Sequence, residues 1–155
     1  MSSPPLPAPE DQARRFAQVR AAHRTEMQED YVELIGDLIE AKGEARAADL
    51  AERFGVTAAT VANTLARLKR DGLIETQPYR SIFLTPKGAE MADLARSRHA
   101  LVVAFLLSLG VSRETAELDA EGLEHHLSAE TLEAMDAFSR RAAPGGAEPA
   151  SRSRN

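Results

Sequence analysis

Two short apolar-periodic stretches separated by Gly55, with a hairpin pattern directly behind them, leave few folds open to the segment between Arg46 and Thr85. Arg46 to Phe54 reads as one helix, and the stretch from Thr57 to about Asp71 as a second. Gly55 supplies the left-handed residue that a tight helix-to-helix turn needs, Thr57 offers a side-chain cap, and Gly72 ends the second helix. Ala51 is small where the helices would cross, while Val56, Val61 and Leu65 lock the second onto the first. Leu73-Ile74-Glu75-Thr76, a turn at Gln77-Pro78-Tyr79-Arg80 and Ser81-Ile82-Phe83-Leu84-Thr85 then form a two-stranded wing. The expected element is a winged helix-turn-helix.

Helices surround it. Tyr31, Leu34, Ile35, Leu38 and Ile39 fall on one face of a helix that stops near Gly43, and a polar helical stretch, Gln12 to Gln28, leads into it. Pro86 opens a long helix that runs to about Leu109 and is broken by Gly110; two more follow, capped by Ser112 and Ser128. Residues 1–11 and 143–155, rich in Pro, Ser, Gly and Arg, read as disordered tails. The first of these lacks the apolar core of a signal peptide, and the longest apolar run, Ala100 to Leu107, is too short to span a bilayer. The expected location is the cytoplasm, with no membrane partner. That apolar run is the candidate seam of a dimer.

A net charge of −5 argues at first against a nucleic-acid partner, but the charge is divided. Arg53 to Arg70 holds Arg53, Arg67, Lys69 and Arg70 and no acid, whereas Ser112 to Asp136 has a local balance of −7. The acid-free block coincides with the second helix of the helix-turn-helix. With Val61, Leu65 and Leu68 turned inward, Thr57, Ala59, Thr60, Asn63, Thr64 and Arg67 would face out, carrying groups suited to base edges. Lys69, Arg70 and Arg80 would suit phosphates, and Tyr79 with Arg80 would sit at the wing tip. A solvated polar helix with no such role gives the same pattern; the hairpin behind it and the missing acids favour DNA.

The acidic block has its own chemistry. Asp30 and Glu33 lie three apart on a helix, and Glu121, Glu124 and His125 lie at i, i+3 and i+4, so each set shares a face. Leu123 and Leu127 would lie opposite with Ala116 and Ala120, and His99 sits mid-helix beside the apolar run. Without cysteine, a metal site here uses oxygen and imidazole, which suits manganese or ferrous iron and disfavours copper(I). Like charges brought together repel, by roughly 4 kcal/mol at 4 Å and an effective dielectric near 20, so the empty site is expected to be loose. Each part has a plainer account: Asp30 and Glu33 suit a helix N-terminus, His99 a core histidine, and the acidic face solvent. His126 lies about 100° around the helix from His125 and is given a structural role, and His23 none.

Taken together, Asp30-Tyr31-Val32-Glu33-Leu34-Ile35, Gly55-Val56-Thr57-Ala58-Ala59-Thr60-Val61, Tyr79-Arg80-Ser81-Ile82-Phe83-Leu84-Thr85 and Asp119-Ala120-Glu121-Gly122-Leu123-Glu124-His125-His126-Leu127 resemble the manganese-transport regulators. These are a branch of the diphtheria-toxin-repressor family of metal-activated repressors. The resemblance covers about Glu29 to Phe138, and its last segment is the most specific. It implies metal ligands at Asp30, Glu33, His99, Glu121, Glu124 and His125, two Mn2+ ions per subunit, a homodimer built through the C-terminal helices, and repression of manganese-uptake genes. Larger members add a barrel-like C-terminal domain for which nothing after Arg141 is long enough; residues 1–28 exceed the shortest members.

The expected protein is mostly α. Residues 1–11 are a tail, 12–28 a leading helical segment, 29–86 a winged helix-turn-helix, 87–142 a helical dimerisation and metal-binding domain, and 143–155 a tail. It would be a manganese-responsive repressor holding two reading heads on successive major grooves of a palindromic operator in double-stranded DNA. The alternatives are an iron-responsive (Fe2+) repressor of the same family and a metal-independent winged-helix regulator. A di-metal carboxylate enzyme needs Glu-x-x-His pairs, but Gly122 and Leu123 stand three before His125 and His126, so no enzyme is expected.

Overall fold

The computed structural model describes residues 5–77 and 81–142. The chain divides into two compact units, one up to Arg96 and the other from Ser97. Among the described residues no helix is long and apolar enough to cross a membrane.

The first unit opens with helix α1, Pro9–Lys42. Proline at its start and Glu10 and Asp11 in its first turn suit a helix N-terminus. The stretch expected as a leading segment and the first core helix are therefore one helix, which begins inside the expected tail. Only its C-terminal half carries core residues: Tyr31, Val32, Ile35 and Leu38 are buried. Strand β1, Ala45–Arg46, leads to α2, Ala47–Phe54. At Gly55 the backbone has φ 64°, and Val56 N–H reaches the Ala51 carbonyl at 3.1 Å, closing the turn expected there. In α3, Ala58–Arg70, the Thr57 hydroxyl caps the N-terminus by accepting from Thr60 N–H at 3.1 Å.

Strands β2, Ile74–Thr76, and β3, Ser81–Leu84, form the wing. A third strand joins them: β1 pairs antiparallel with β3, Ala45 opposite Ile82, giving the order β1-β3-β2. Arg46, expected inside the helix, is extended and pairs with Ser81. Leu50, Val61, Leu68, Leu73, Ile74 and Ile82 close the core over the buried face of α1, and Tyr31 stacks on Phe54 at 4.4 Å. Each such fully buried side chain stabilises the fold by roughly 1.5–3 kcal/mol.

Helix α4, Pro86–Ser108, starts in the first unit and ends in the second. The second unit continues with α5, Arg113–Leu123, capped by Ser112, and α6, Ala129–Ala142, whose Thr131 N–H is accepted by Ser128. Its core is Val102, Val103, Ala116 and Ala120, with Leu106, Leu107, Val111, Leu127, Leu132 and Met135 packed around them. Of the apolar run 100–107, Val102 and Val103 are buried in this core, Leu101, Phe105, Leu106 and Leu107 are half-buried, and Ala100 and Ala104 are exposed.

The start of α4 is tied to the wing by a short hydrogen-bonded knot. Thr85 N–H donates to the Leu73 carbonyl at 3.1 Å, its hydroxyl donates to the Gly72 carbonyl at 2.7 Å, and the same hydroxyl oxygen accepts from Gly88 N–H at 3.1 Å. A Cβ on Gly88 would stand 2.0 Å from the Leu73 carbonyl oxygen, a backbone atom that cannot swing aside. Gly88→Ala is expected to lower stability by about 1–3 kcal/mol, the usual cost of overpacking, read as a fall in the urea midpoint at unchanged m-value.

Candidate functional site

In the first unit, α3 presents Thr57, Ala59, Thr60, Asn63 and Arg67 to solvent, with Lys69 and Arg70 exposed at its end. Thr64 departs from expectation. It is buried at 3 % exposure, its hydroxyl donating to the Thr60 carbonyl at 3.1 Å and lying 3.8 Å from the Met27 sulfur of α1. Three residues after Val61 and four before Leu68, Thr64 shares their inward face, and the long α1 covers it. Lys69 donates to the Thr76 hydroxyl, tying α3 to the wing. Tyr79 and Arg80, expected at the wing tip, lie outside the described residues.

Of the expected metal ligands, Asp30 and Glu33 stand one turn apart on α1, both half-buried. The second unit brings three others together: ligand atoms of His99, Glu121 and Glu124 lie within 4.8 Å of one another. His99 is on α4, and its Nδ1 is 2.7 Å from Glu124 and 3.9 Å from Glu121. His125 joins through Glu124, its Nε2 lying 3.3 Å from the Glu124 carboxylate.

The expectation that Glu121, Glu124 and His125 share one helical face needs correction. Helix α5 ends at Leu123, so Glu124 and His125 belong to the turn beyond it. The Glu124 and His125 side chains are buried, while the Glu121 side chain is 71 % exposed. Ala116 and Ala120, expected opposite Glu124, share the inward side with it at four-residue steps; Leu123, expected beside them, is exposed.

The structure adds one residue that the sequence reading passed over. Glu117 lies 2.9 Å from His99 Nε2, so the imidazole bridges two carboxylates. A signal was present: Glu117, Glu121 and Glu124 follow a four-then-three spacing, a single helical stripe. With both ring nitrogens facing carboxylates, the doubly protonated imidazolium satisfies every contact. Burial lowers the His99 pKa, but the Glu117 hydrogen bond and the Glu124 charge outweigh it and hold the pKa above its ordinary 6.5. Glu117 is held below its ordinary range, first by the hydrogen bond from His99. A protonated His99 thus offsets the repulsion between Glu117 and Glu124.

The donors fit a divalent cation. They are carboxylate oxygens and imidazole nitrogens, and a carboxylate as deeply buried as Glu124 requires a charged partner, either a proton-bearing imidazole or a metal. A raised folded-state pKa at His99 stabilises the metal-free protein fully below about 6.5, and the contribution is lost as pH rises through the raised value. In chelator, the melting temperature is expected to fall across that interval, and His99→Gln to flatten the fall; an identical profile in the variant contradicts this.

The chain matches the model of the iron-dependent repressor N-terminal DNA-binding domain over residues 23–82, and that of the iron-dependent repressor metal-binding and dimerisation domain over residues 85–143. It is 53% identical over 132 residues to the transcriptional regulator MntR of Escherichia coli O6:H1, covering 85% of each chain. It is 41% identical over 104 residues to the HTH-type transcriptional regulator MntR of Listeria welshimeri, covering 67% of this chain and 73% of that one. A solved manganese-dependent transcriptional repressor in complex with manganese superposes with a TM-score of 0.66 at 30% identity, over 72% of this chain and 52% of that one. The structure of the manganese regulator SloR gives 0.64 at 28% identity, over 72% and 52%. The chain thus spans about half the length of these solved relatives. The chain belongs to the iron-dependent repressor family, that of the diphtheria-toxin repressor, in its manganese-regulator branch.

Proposed function

We propose that this protein is a manganese-responsive, metal-activated repressor of manganese-uptake genes, acting by DNA binding and not by catalysis. The observation that carries the reading is the convergence of His99, Glu121 and Glu124, within the part of the chain that matches a metal-binding and dimerisation domain. Asp30, Glu33, His99, Glu121, Glu124 and His125 would hold Mn2+, two ions per subunit. His99, Glu121, Glu124 and His125 enter on geometry as well as resemblance, and Asp30 and Glu33 on resemblance alone. When bound, the ions supply positive charge that the carboxylates otherwise draw from protons.

Residues 29–86 would then form the DNA-binding domain and 87–142 the dimerisation domain. Thr57, Ala59, Thr60, Asn63 and Arg67 would meet base edges in the major groove, and Lys69 and Arg70 the phosphates. Tyr79 and Arg80 keep a wing-tip role on the sequence pattern alone. A homodimer presenting two such heads fits a palindromic operator. As a switch, the metal must favour the DNA-competent arrangement, because equal affinity for both arrangements shifts nothing. An iron-responsive reading stays in view because both matching family domains are named for iron and the same donors accept Fe2+.

The test uses a duplex selected by the wild-type protein with manganese from a random pool, at fixed salt. Glu124→Ala is expected to weaken manganese binding by more than the roughly 10–100-fold that changes beside metal ligands cost, and to abolish manganese-dependent retardation of the duplex. Unchanged affinity for both would refute the reading. Ferrous iron matching manganese at equal occupancy would favour the iron-responsive alternative.

A further inference from the structure

The N-terminal half of α1 belongs to neither core. Every described residue from Pro5 to Ala21 is exposed. Past Glu10 and Asp11 in its first turn it is free of acid: from Gln12 to Thr25 α1 carries Arg14, Arg15, Arg20 and Arg24 and no Asp or Glu. Arg14 pairs with Asp11, but among the described residues Arg15, Arg20 and Arg24 take part in no ion pair. Three cations without counterions on one solvated helix repel one another, so the segment is poised for a polyanion.

Its position says which one. The overhang runs straight into the part of α1 that meets the reading helix. The Met27 sulfur lies 3.8 Å from the Thr64 hydroxyl and 3.8 Å from the Arg67 guanidinium, and Arg24, Met27, Thr64 and Arg67 line one pocket with Asp71. Arg20 stands one turn from Arg24 on the same side of α1. A basic track therefore runs from Arg20 through Arg24 to Arg67, continuous with the outward face of α3. Asp71, the acid in that pocket, is engaged by Gln28 at 2.8 Å and by Arg70.

We propose that the overhang is a second DNA-contacting element, in which Arg15, Arg20 and Arg24 meet the phosphate backbone of the duplex beside the groove that α3 enters. The proposal rests on the DNA-binding reading above. Arginines spread round a helix read no base; they add affinity without sequence choice and set the position of the reading helix. A short arm of this kind would lengthen the footprint beyond that of a winged helix alone.

The test measures binding of the manganese-loaded full chain to a long mixed-sequence duplex over a series of salt concentrations. Each phosphate contact contributes about 0.9 to the slope of log affinity against log salt, so R15Q/R20Q/R24Q should reduce that slope by about 2.7 per engaged protomer. R15K/R20K/R24K should retain it, and circular dichroism should report an unchanged helix content in both. A wild-type slope in the glutamine variant, with wild-type binding intact, overturns the proposal alone; a wild type that binds no duplex overturns it together with the DNA-binding reading. Exposed Phe16 and Val19 on the same overhang would suit a second copy of the chain. A fall in sedimenting mass for the glutamine variant at unchanged salt slope would assign the overhang to that role and overturn the proposal.

Discussion

Glu124 is almost wholly buried, and a carboxylate taken out of water must find positive charge close by. It finds the His99 imidazole at 2.7 Å, with the buried His125 ring beside it. That one requirement orders the second unit. It brings α4 to the end of α5, and it sets the turn after Leu123 so that Glu124 faces inward while Glu121 stays in water. It also places His99 between Glu124 and Glu117, where a doubly protonated ring donates one N–H to each carboxylate. A proton and a divalent cation then compete for the same donors. A divalent cation held by these donors would replace the imidazolium charge with a larger one.

The helix-turn-helix asks less of charge and more of packing. Leu50, Val61 and Leu68 fix α2 and α3 on α1, and the Thr57 cap and the Gly55 turn fix where α3 begins. Consequently the outward residues of α3 are held on a rigid element. Thr85 extends the same logic to the wing: its hydroxyl donates to Gly72 and accepts from Gly88, so the end of β3 and the start of α4 share one anchor. Helix α4 supplies Ala92 to the first core and Val102 and Val103 to the second.

Much of this was legible in the residues, and the exceptions share a cause. Gly55, Gly72, Ser112 and Ser128 punctuate the chain with local chemistry, so element order and type could be read without tertiary knowledge. Strand β1 could not: two residues carry no period, and only pairing with Ser81 and Ile82 makes Ala45 and Arg46 a strand. Thr64 looked outward because its polarity was weighed above its spacing, and the cover supplied by Met27 comes from a part of α1 that reads as a polar leader. The end of α5 is unmarked, since neither glycine nor proline follows Leu123, and so Glu124 and His125 read as helical. Glu117 was visible in the spacing, but only a partner 18 residues away on another helix gives it a role.

Selectivity among metals follows from the same donors. Affinity alone ranks zinc and copper above manganese at most sites of oxygen and nitrogen, so a regulator tuned to manganese must discriminate by geometry and ligand number. Absence of cysteine removes the thiolate ligand that would most favour zinc or copper(I). Glu121 is solvent-exposed and its neighbour Glu124 buried, so the fold constrains the second carboxylate more than the first. A constrained donor defines a position, and a less constrained one lets coordination number vary. If these residues hold the ion as proposed, one content with four ligands would leave Glu121 unused, whereas one that demands more would recruit it. Discrimination on this scheme lies in how many residues an ion draws in, and only the fuller set can move the equilibrium toward the DNA-competent form.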